Sequence, residues 1–373
     1  FIAGADISEF GQQIDGPSIH DAFEKIEKSS KPVIAAINGS ALGGGLETAL
    51  CCHYRVSSKQ GFIGLPEVNL GLLPGAGGTQ RLPRLVGPSE ALKIMLSGRH
   101  IPAVKAVDMG VIDSLSEGDI VEDAVAFAKE VATKNDTHPL VRDLNDKVLA
   151  ARGDENIISE ARALAAKTRK GQFAPGKIIQ CVEAAINLDD FDEGMKKEAE
   201  YFIECLLNPQ REAMIHIFFG ERAASKINDV PKETPKMDVK KAGIIGSGTM
   251  GGGIAMCFAN IGIPVHIVDQ DEENLKRGLS AIERNYKFMV DRGRMTEEQK
   301  EKTFGLITSG LSYDDISDVD IVIEAVYENL DLKLEIFKKL DESVNENAIL
   351  ASNTSGLDVD ALADCTNRPE KVV

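Results

Sequence analysis

The segment Gly246-Ser247-Gly248-Thr249-Met250-Gly251 constrains the fold of its part of the chain more than any other feature. The apolar run 242–245 before it reads as a strand, residues 249–261 as a helix and 264–268 as a second strand, so one strand–helix–strand unit is predicted. Each glycine has a task in such a turn. Gly246 allows the tight bend, Gly248 the close approach of a pyrophosphate, and Gly251 the packing of helix on strand. Asp269 ends the second strand 23 residues after Gly246, where a carboxylate accepts from ribose hydroxyls. An acid at that position favours NAD over NADP, because a 2′-phosphate would face a negative charge. A merely structural glycine turn and a solvated Asp269 remain the alternatives. Apolar strand patterns at 319–326 and 348–352, with a helical pattern at 330–344 between them, continue a parallel α/β alternation.

The remainder is too long for the same core, since 373 residues exceed the usual single domain. An apolar fraction of 43% and a charged fraction of 27% place the chain among soluble globular proteins. A formal charge of −17 disfavours nucleic acid and anionic membrane surfaces as partners, while a small anion held by backbone N–H groups stays compatible. No apolar run approaches the roughly 18–20 residues of a membrane span. The six cysteines match neither a disulfide framework nor a metal-ligand spacing, so a reducing compartment is expected, and His53 beside Cys51 and Cys52 reads as core packing with no metal. Residues 33–37 read as a strand, 43–51 as a helix, 54–57 and 61–63 as strands, and the prolines and glycines of 66–78 as irregular loops. Helical patterns follow at 89–96 and 120–133. The charged helical stretch from 157 to about 226 could pack on either neighbour, and the proline-bearing stretch after it is the linker candidate.

A second constellation runs Ile2-Ala3-Gly4-Ala5-Asp6-Ile7, Gly43-Gly44-Gly45-Leu46-Glu47, Pro66-Glu67-Val68 and Pro74-Gly75-Ala76-Gly77-Gly78-Thr79-Gln80-Arg81-Leu82. In this order, with Glu47 and Glu67 twenty residues apart, it resembles the enoyl-CoA hydratase (crotonase) family. The resemblance implies a spiral of ββα turns acting on acyl-CoA thioesters. It implies that Ala3 and Ala5 lie at the substrate and that the N–H groups of Ala5 and Gly44 face the thioester oxygen. Adding water to a 2-enoyl thioester builds negative charge on that oxygen, and a Gly44 N–H at a helix start is aided by the helix dipole. Two acids can divide the proton work. Glu47 is assigned mainly to water activation and Glu67 mainly to the Cα proton, and the family adds Gly75 N–H as a holder of the water.

Val326-Tyr327-Glu328-Asn329, Lys333 and Ser352-Asn353-Thr354-Ser355 resemble the 3-hydroxyacyl-CoA dehydrogenase family. That likeness implies Met250, Val326, Glu328, Lys333 and Asn353 near NAD, with Ser355 at both cofactor and substrate hydroxyl. Core packing for Met250 and Val326, and a solvated helix face for Lys333, are the structural alternatives. The two patterns together resemble multifunctional β-oxidation enzymes. The expected plan is an α/β chain with a truncated crotonase domain at 1–165, a helical connecting segment at 166–228, a linker at 229–240 and a Rossmann NAD-binding domain at 241–373. The family's oxidising base is a histidine, and no histidine follows His266. Its place would fall just past Val373, so the sequence reads as a piece of a longer chain lacking both ends. Enoyl-CoA isomerisation at the first site and a non-catalytic acyl-CoA/NAD scaffold are the competing functions. A thiolase partner or a monomeric form, and a bacterial cytoplasm or a peroxisomal or mitochondrial location, complete the expectations.

Overall fold

Short apolar runs interrupted by glycine wind the first part of the chain into successive strand–strand–helix turns. The computed structural model describes all residues except 5, 8–15, 17, 135–136, 225, 228 and 232. They form two compact units, Phe1–Asp229 and Val230–Val373, each treated by itself below. In the first unit α1 (Ile19–Glu27) precedes β1 (Ile34–Ile37), β2 (Ser40–Leu42), α2 (Gly44–Cys51), β3 (Tyr54–Ser58), β4 (Phe62–Gly64), α3 (Gly78–Val86), α4 (Pro88–Ser97), β5 (Ile101–Pro102), α5 (Ala103–Asp108), β6 (Ser114–Ser116) and α6 (Ile120–Lys134). Each of the first two turns sends one strand to each of two three-stranded sheets, β1-β3-β6 and β2-β4-β5.

This winding explains why acids twenty residues apart can meet. The parallel partner of Ala36 is Val56, and Leu42 pairs with Gly64, so the chain returns to the same place after about one such interval. Gly43 N–H donates to the Gly64 carbonyl at 2.9 Å, fixing the two strand ends side by side. Glu47 and Glu67 follow those ends. The stretch 66–78 contains more order than its prolines and glycines suggest: a 3-10 turn occupies Glu67–Leu70, and α3 begins at Gly78 after Gly77 takes a left-handed φ of 97°.

The charged helical stretch packs on the first unit. Following α7 (Asp146–Ala150), it forms α8 (Glu155–Thr168), α9 (Ala174–Asn187), α10 (Phe191–Leu207) and α11 (Pro209–Ala224). Ile178, Ile179, Cys181, Val182 and Ile186 of α9 bury themselves in the same core as Leu46, Ile63, Leu73, Leu82 and Met95. Their buried spacing of three and four residues is that of one helix face, and burial of each such side chain is worth roughly 1.5–3 kcal/mol.

The second unit runs β7 (Ala242–Ile245), α12 (Thr249–Asn260), β8 (Val265–Val268), α13 (Glu272–Asp291), α14 (Glu297–Phe304), β9 (Ile307–Gly310), β10 (Ile321–Glu324), α15 (Leu330–Ser343), β11 (Ile349–Ser352) and α16 (Val359–Asp364). All five strands are parallel in the order β11-β10-β7-β8-β9. Val372 adds a parallel bridge beside Leu350. The order reverses between β7 and β10, and such switch points are where open α/β sheets bind ligands. Val322, Phe337, Leu340 and Leu350 fill one side of the sheet, and Ile244, Ala255, Ile267 and Ile282 the other.

Candidate active site and cofactor cradle

Gly43, the N-cap of α2, has φ 54°, a left-handed conformation that suits glycine, and a side chain here would also meet Glu67 Oε1 at 3.0 Å. Gly44 is the first helical residue, whose N–H has no acceptor within its own helix. The opening segment lies against this turn: Leu42 N–H donates to the Ile2 carbonyl at 3.1 Å, and a Cβ on Gly45 would sit 2.0 Å from that same oxygen. Ala3 is exposed beside it, whereas Ala5 lies outside the described residues.

Glu47, in the first turn of α2, is only 3% exposed. Its Oε1 accepts from the N–H groups of Ala76 and Gly78, both at 2.8 Å. Burial pushes its carboxyl above the usual range, opposed by those N–H groups and by the Arg81 charge. Glu67 Oε2 is buried without a hydrogen-bond partner among the described residues. Burial, and then the charge of Glu47, hold the Glu67 carboxyl well above the usual range. The pair is therefore two acids in different settings, one braced by the N–H groups of a neighbouring loop and one with an oxygen left without a partner. Gly75 is partly exposed at the head of the loop, and a Cβ there would lie 2.4 Å from the Phe202 ring.

Four contributors to this site were missed in the sequence. Ala76 and Gly78 supply the N–H groups that bind Glu47. Arg81, 4% exposed, is anchored by Glu27 at 2.8 Å and brings its guanidinium beneath the loop. Glu198 of α10, 1% exposed, accepts from Gly77 N–H at 2.7 Å and Thr79 N–H at 3.1 Å. The glycine cluster was the available signal for the loop; nothing local marks Glu198 among the other acids of its helix. His53 is buried, its Nδ1 accepts from Val33 N–H at 3.0 Å, and its ring meets His138 edge-on. No group of three or more His, Cys, Asp or Glu among the described residues is placed to hold a metal ion.

In the second unit a cavity of about 810 Å³ opens at the switch point, lined by Gly246, Ser247, Gly248, Asp269, Val326 and Tyr327 among others. A Cβ on Gly251 would sit 1.9 Å from the Gly246 carbonyl oxygen, and one on Gly246, which has φ 102°, 2.7 Å from that of Ala325. A Cβ on Gly248 would meet nothing within 4 Å. The first two glycines are thus required by packing, and the third leaves open space at a helix N-terminus, which suits a pyrophosphate. Asp269 accepts from Ser247 N–H at 2.8 Å and Ser247 Oγ at 2.6 Å. Burial raises its pKa, but these bonds and those from Gln270 and Asn274 outweigh it and keep the acid below the usual range. Asp269 therefore braces the glycine turn as well as closing the second strand.

The remaining expected residues separate. Met250 is 56% exposed and so is no core residue. Lys333, one of whose readings was a solvated helix face, is completely buried: its Nζ lies 2.9 Å from both Glu324 oxygens and 3.2 Å from Glu328 Oε2. The four-carbon stem of α15 turns inward because a buried carboxylate ends β10. Glu324 also accepts from Val326 N–H at 2.7 Å and Ser352 Oγ at 2.7 Å, and Glu328 accepts from Thr354 Oγ1. This network ties together the ends of β10 and β11, where Asn353 and Ser355 are exposed. Glu324 was missed, although an acid closing the apolar run Ile321-Val322-Ile323 was its visible signal.

Spiral turns carrying the buried Glu47 and the partly buried Glu67 beside a helix N-terminus form the first unit, and a parallel sheet with a glycine cradle forms the second. Residues 1–176 match the family model described as enoyl-CoA hydratase/isomerase, and residues 241–373 that of the 3-hydroxyacyl-CoA dehydrogenase NAD-binding domain. The two family matches thus stand in tandem on the chain, the second within the unit that carries the glycine cradle. Over its whole length it is 39% identical to a peroxisomal bifunctional enzyme of Danio rerio, covering 51% of that protein. It is 39% identical to a fatty acid oxidation complex subunit alpha from a Shewanella species, covering 54%, and 37% identical to a peroxisomal fatty acid beta-oxidation multifunctional protein of Arabidopsis thaliana, covering 53%. The chain thus spans about half the length of the curated relatives it matches. No helix among the described residues is long and apolar enough to cross a membrane.

Proposed function

We propose that the first unit adds water to 2-enoyl-CoA thioesters, with Glu47 and Glu67 as its catalytic residues. The observation that carries this reading is the pair of acids, Glu47 buried and Glu67 with a buried, unpartnered oxygen, that follow adjacent strand ends beside the first N–H of α2. Gly44 N–H, joined by that of Ala5, stabilises the negative charge that develops on the thioester oxygen; loss of one such donor costs about 3 kcal/mol of transition-state stabilisation. Both backbone bonds to Glu47 fall on Oε1, which leaves Oε2 to take a proton from water as it attacks Cβ. Glu67, its carboxyl raised by burial and by the charge of Glu47, delivers a proton to Cα. Ala3 and Gly75 line the thioester and water sides of this path.

The second unit holds NAD at Gly246, Gly248, Gly251 and Asp269, with Met250, Val326, Glu328 and Asn353 around the rest of the cofactor; Lys333, fully buried, reaches this region only through its ion pair with Glu328. When bound, NAD would supply a hydride acceptor at this site, and Ser355 would bind the hydroxyl of the hydration product. His266, the one histidine after residue 230, is engaged with Thr308 at 2.8 Å and lies 3.6 Å from Asp315.

The test follows loss of the conjugated-thioester absorbance of a short 2-enoyl-CoA. Glu47→Gln and Glu67→Gln should each lower kcat by about 10²–10⁴. An inert protein at saturating substrate would remove the hydration assignment. Glu47→Ala should also abolish hydration while sparing much of any double-bond isomerisation, and equal loss of both would count against separate roles.

A further inference from the structure

We propose that Glu198 is a positioning residue of the thioester site, holding Gly77 and Thr79 so that the N–H groups of Ala76 and Gly78 converge on one oxygen of Glu47. The inference rests on the hydration reading for its catalytic consequence, though not for its geometry. Four consecutive N–H groups, those of residues 76–79, alternate between two buried carboxylates: Ala76 and Gly78 donate to Glu47 Oε1, while Gly77 and Thr79 donate to Glu198. The Thr79 hydroxyl donates to Glu198 as well. Glu198 reaches this loop from α10, beyond the stretch that matches the hydratase family model.

Its neighbours on α10 show that the approach is built. Gly194, Glu198 and Phe202 are spaced four residues apart and so share one helix face. A Cβ on Gly194 would lie 2.3 Å from Gln80 Oε1, and Phe202 occupies the space beside Gly75. Gly77 has φ 97°, which lets successive N–H groups point to opposite sides. Without Glu198 the loop would keep Glu47 on one side and leave two buried backbone N–H donors, with the Thr79 hydroxyl, without their acceptor on the other, and each unsatisfied donor costs about 1–3 kcal/mol. Rotation of those peptides toward new acceptors would carry Ala76 and Gly78 away from Glu47. Burial, then the charge of Glu47, push the Glu198 carboxyl up to about 8.

The full chain is compared with Glu198→Ala and Glu198→Gln in hydration kinetics and in amide hydrogen exchange of residues 76–79. Positioning predicts that Glu198→Ala lowers kcat about tenfold to a hundredfold, with KM changed less than about twofold. Glu198→Gln keeps an acceptor for Gly77 and loses one for Thr79, and its kcat falls between. Exchange at Ala76 and Gly78 should quicken about tenfold or more in both variants. If the alanine variant does not fold, the glutamine variant carries the same test. A folded variant with wild-type kcat and wild-type exchange overturns the proposal, as does a kcat loss that follows only the fraction of folded protein. A wild-type chain that fails to hydrate overturns the hydration reading instead, while the exchange measurement still decides the role of Glu198 in the loop.

Discussion

Glu47, Glu67 and Glu198 share one small region and are all shifted toward the protonated form, chiefly by burial. For Glu198, raised from 4.5 to about 8, the folded chain binds more protons than the unfolded chain between those values. Its contribution to stability is therefore fully present below about 4.5 and is lost as pH rises through about 8. The melting temperature of wild type minus that of Glu198→Gln should fall as pH is raised across this window; a difference that rises would show the acid to be ionised in the folded state throughout. Glu47 and Glu67 were legible because a spacing of twenty residues is close to one turn of the spiral, and because glycine and proline flank them. Glu198 was not. Its helix also carries Asp192, Glu193, Glu200 and Glu204, and only tertiary packing separates the buried acid from these solvated ones.

Elements with strong periodicity were legible to within a residue or two: β7, α12, β8, α15 and β11 lie where apolar runs and the glycine turn predict them. The start of α3 was hidden, because a left-handed glycine inside a glycine cluster looks the same as a loop until two carboxylates are seen to cap it. The contribution of α13 was hidden for a related reason. A Cβ on Gly278 would lie 2.4 Å from the Ser247 carbonyl oxygen, so this helix presses on the glycine turn at a position that no motif marks. Gly278→Ala should displace the turn at an overpacking cost of about 1–3 kcal/mol. Calorimetric titration with NAD is expected to show a weakening of about fivefold or more, and unchanged affinity with unchanged melting would show that α13 gives way without moving Ser247. The buried Glu324–Lys333 pair makes the same point, since a lysine in a charged helix looks solvated until β10 places a carboxylate beneath it.

At the scale of the whole chain, the two units differ in what they bring. Phe1–Asp229 holds two acids, the first N–H of α2 and the loop that braces Glu47, whereas Val230–Val373 holds a cavity at the glycine turn, which Asp269 braces, and a buried Glu324 network at the ends of β10 and β11. The helices after residue 166, expected to connect the units, belong to the first by packing and supply Glu198 to its loop. That outcome was illegible from charge and periodicity alone, which describe an amphipathic helix without naming the core it joins. Water addition at the first site is the claim on which the rest depends. Incubation of the chain with a short 2-enoyl-CoA in ¹⁸O-water, followed by mass analysis of the thioester, tests it most directly. The account predicts a product that has gained one labelled water, with the oxygen on Cβ, at a rate strongly reduced in Glu47→Gln; a thioester recovered without the label at saturating substrate would contradict it.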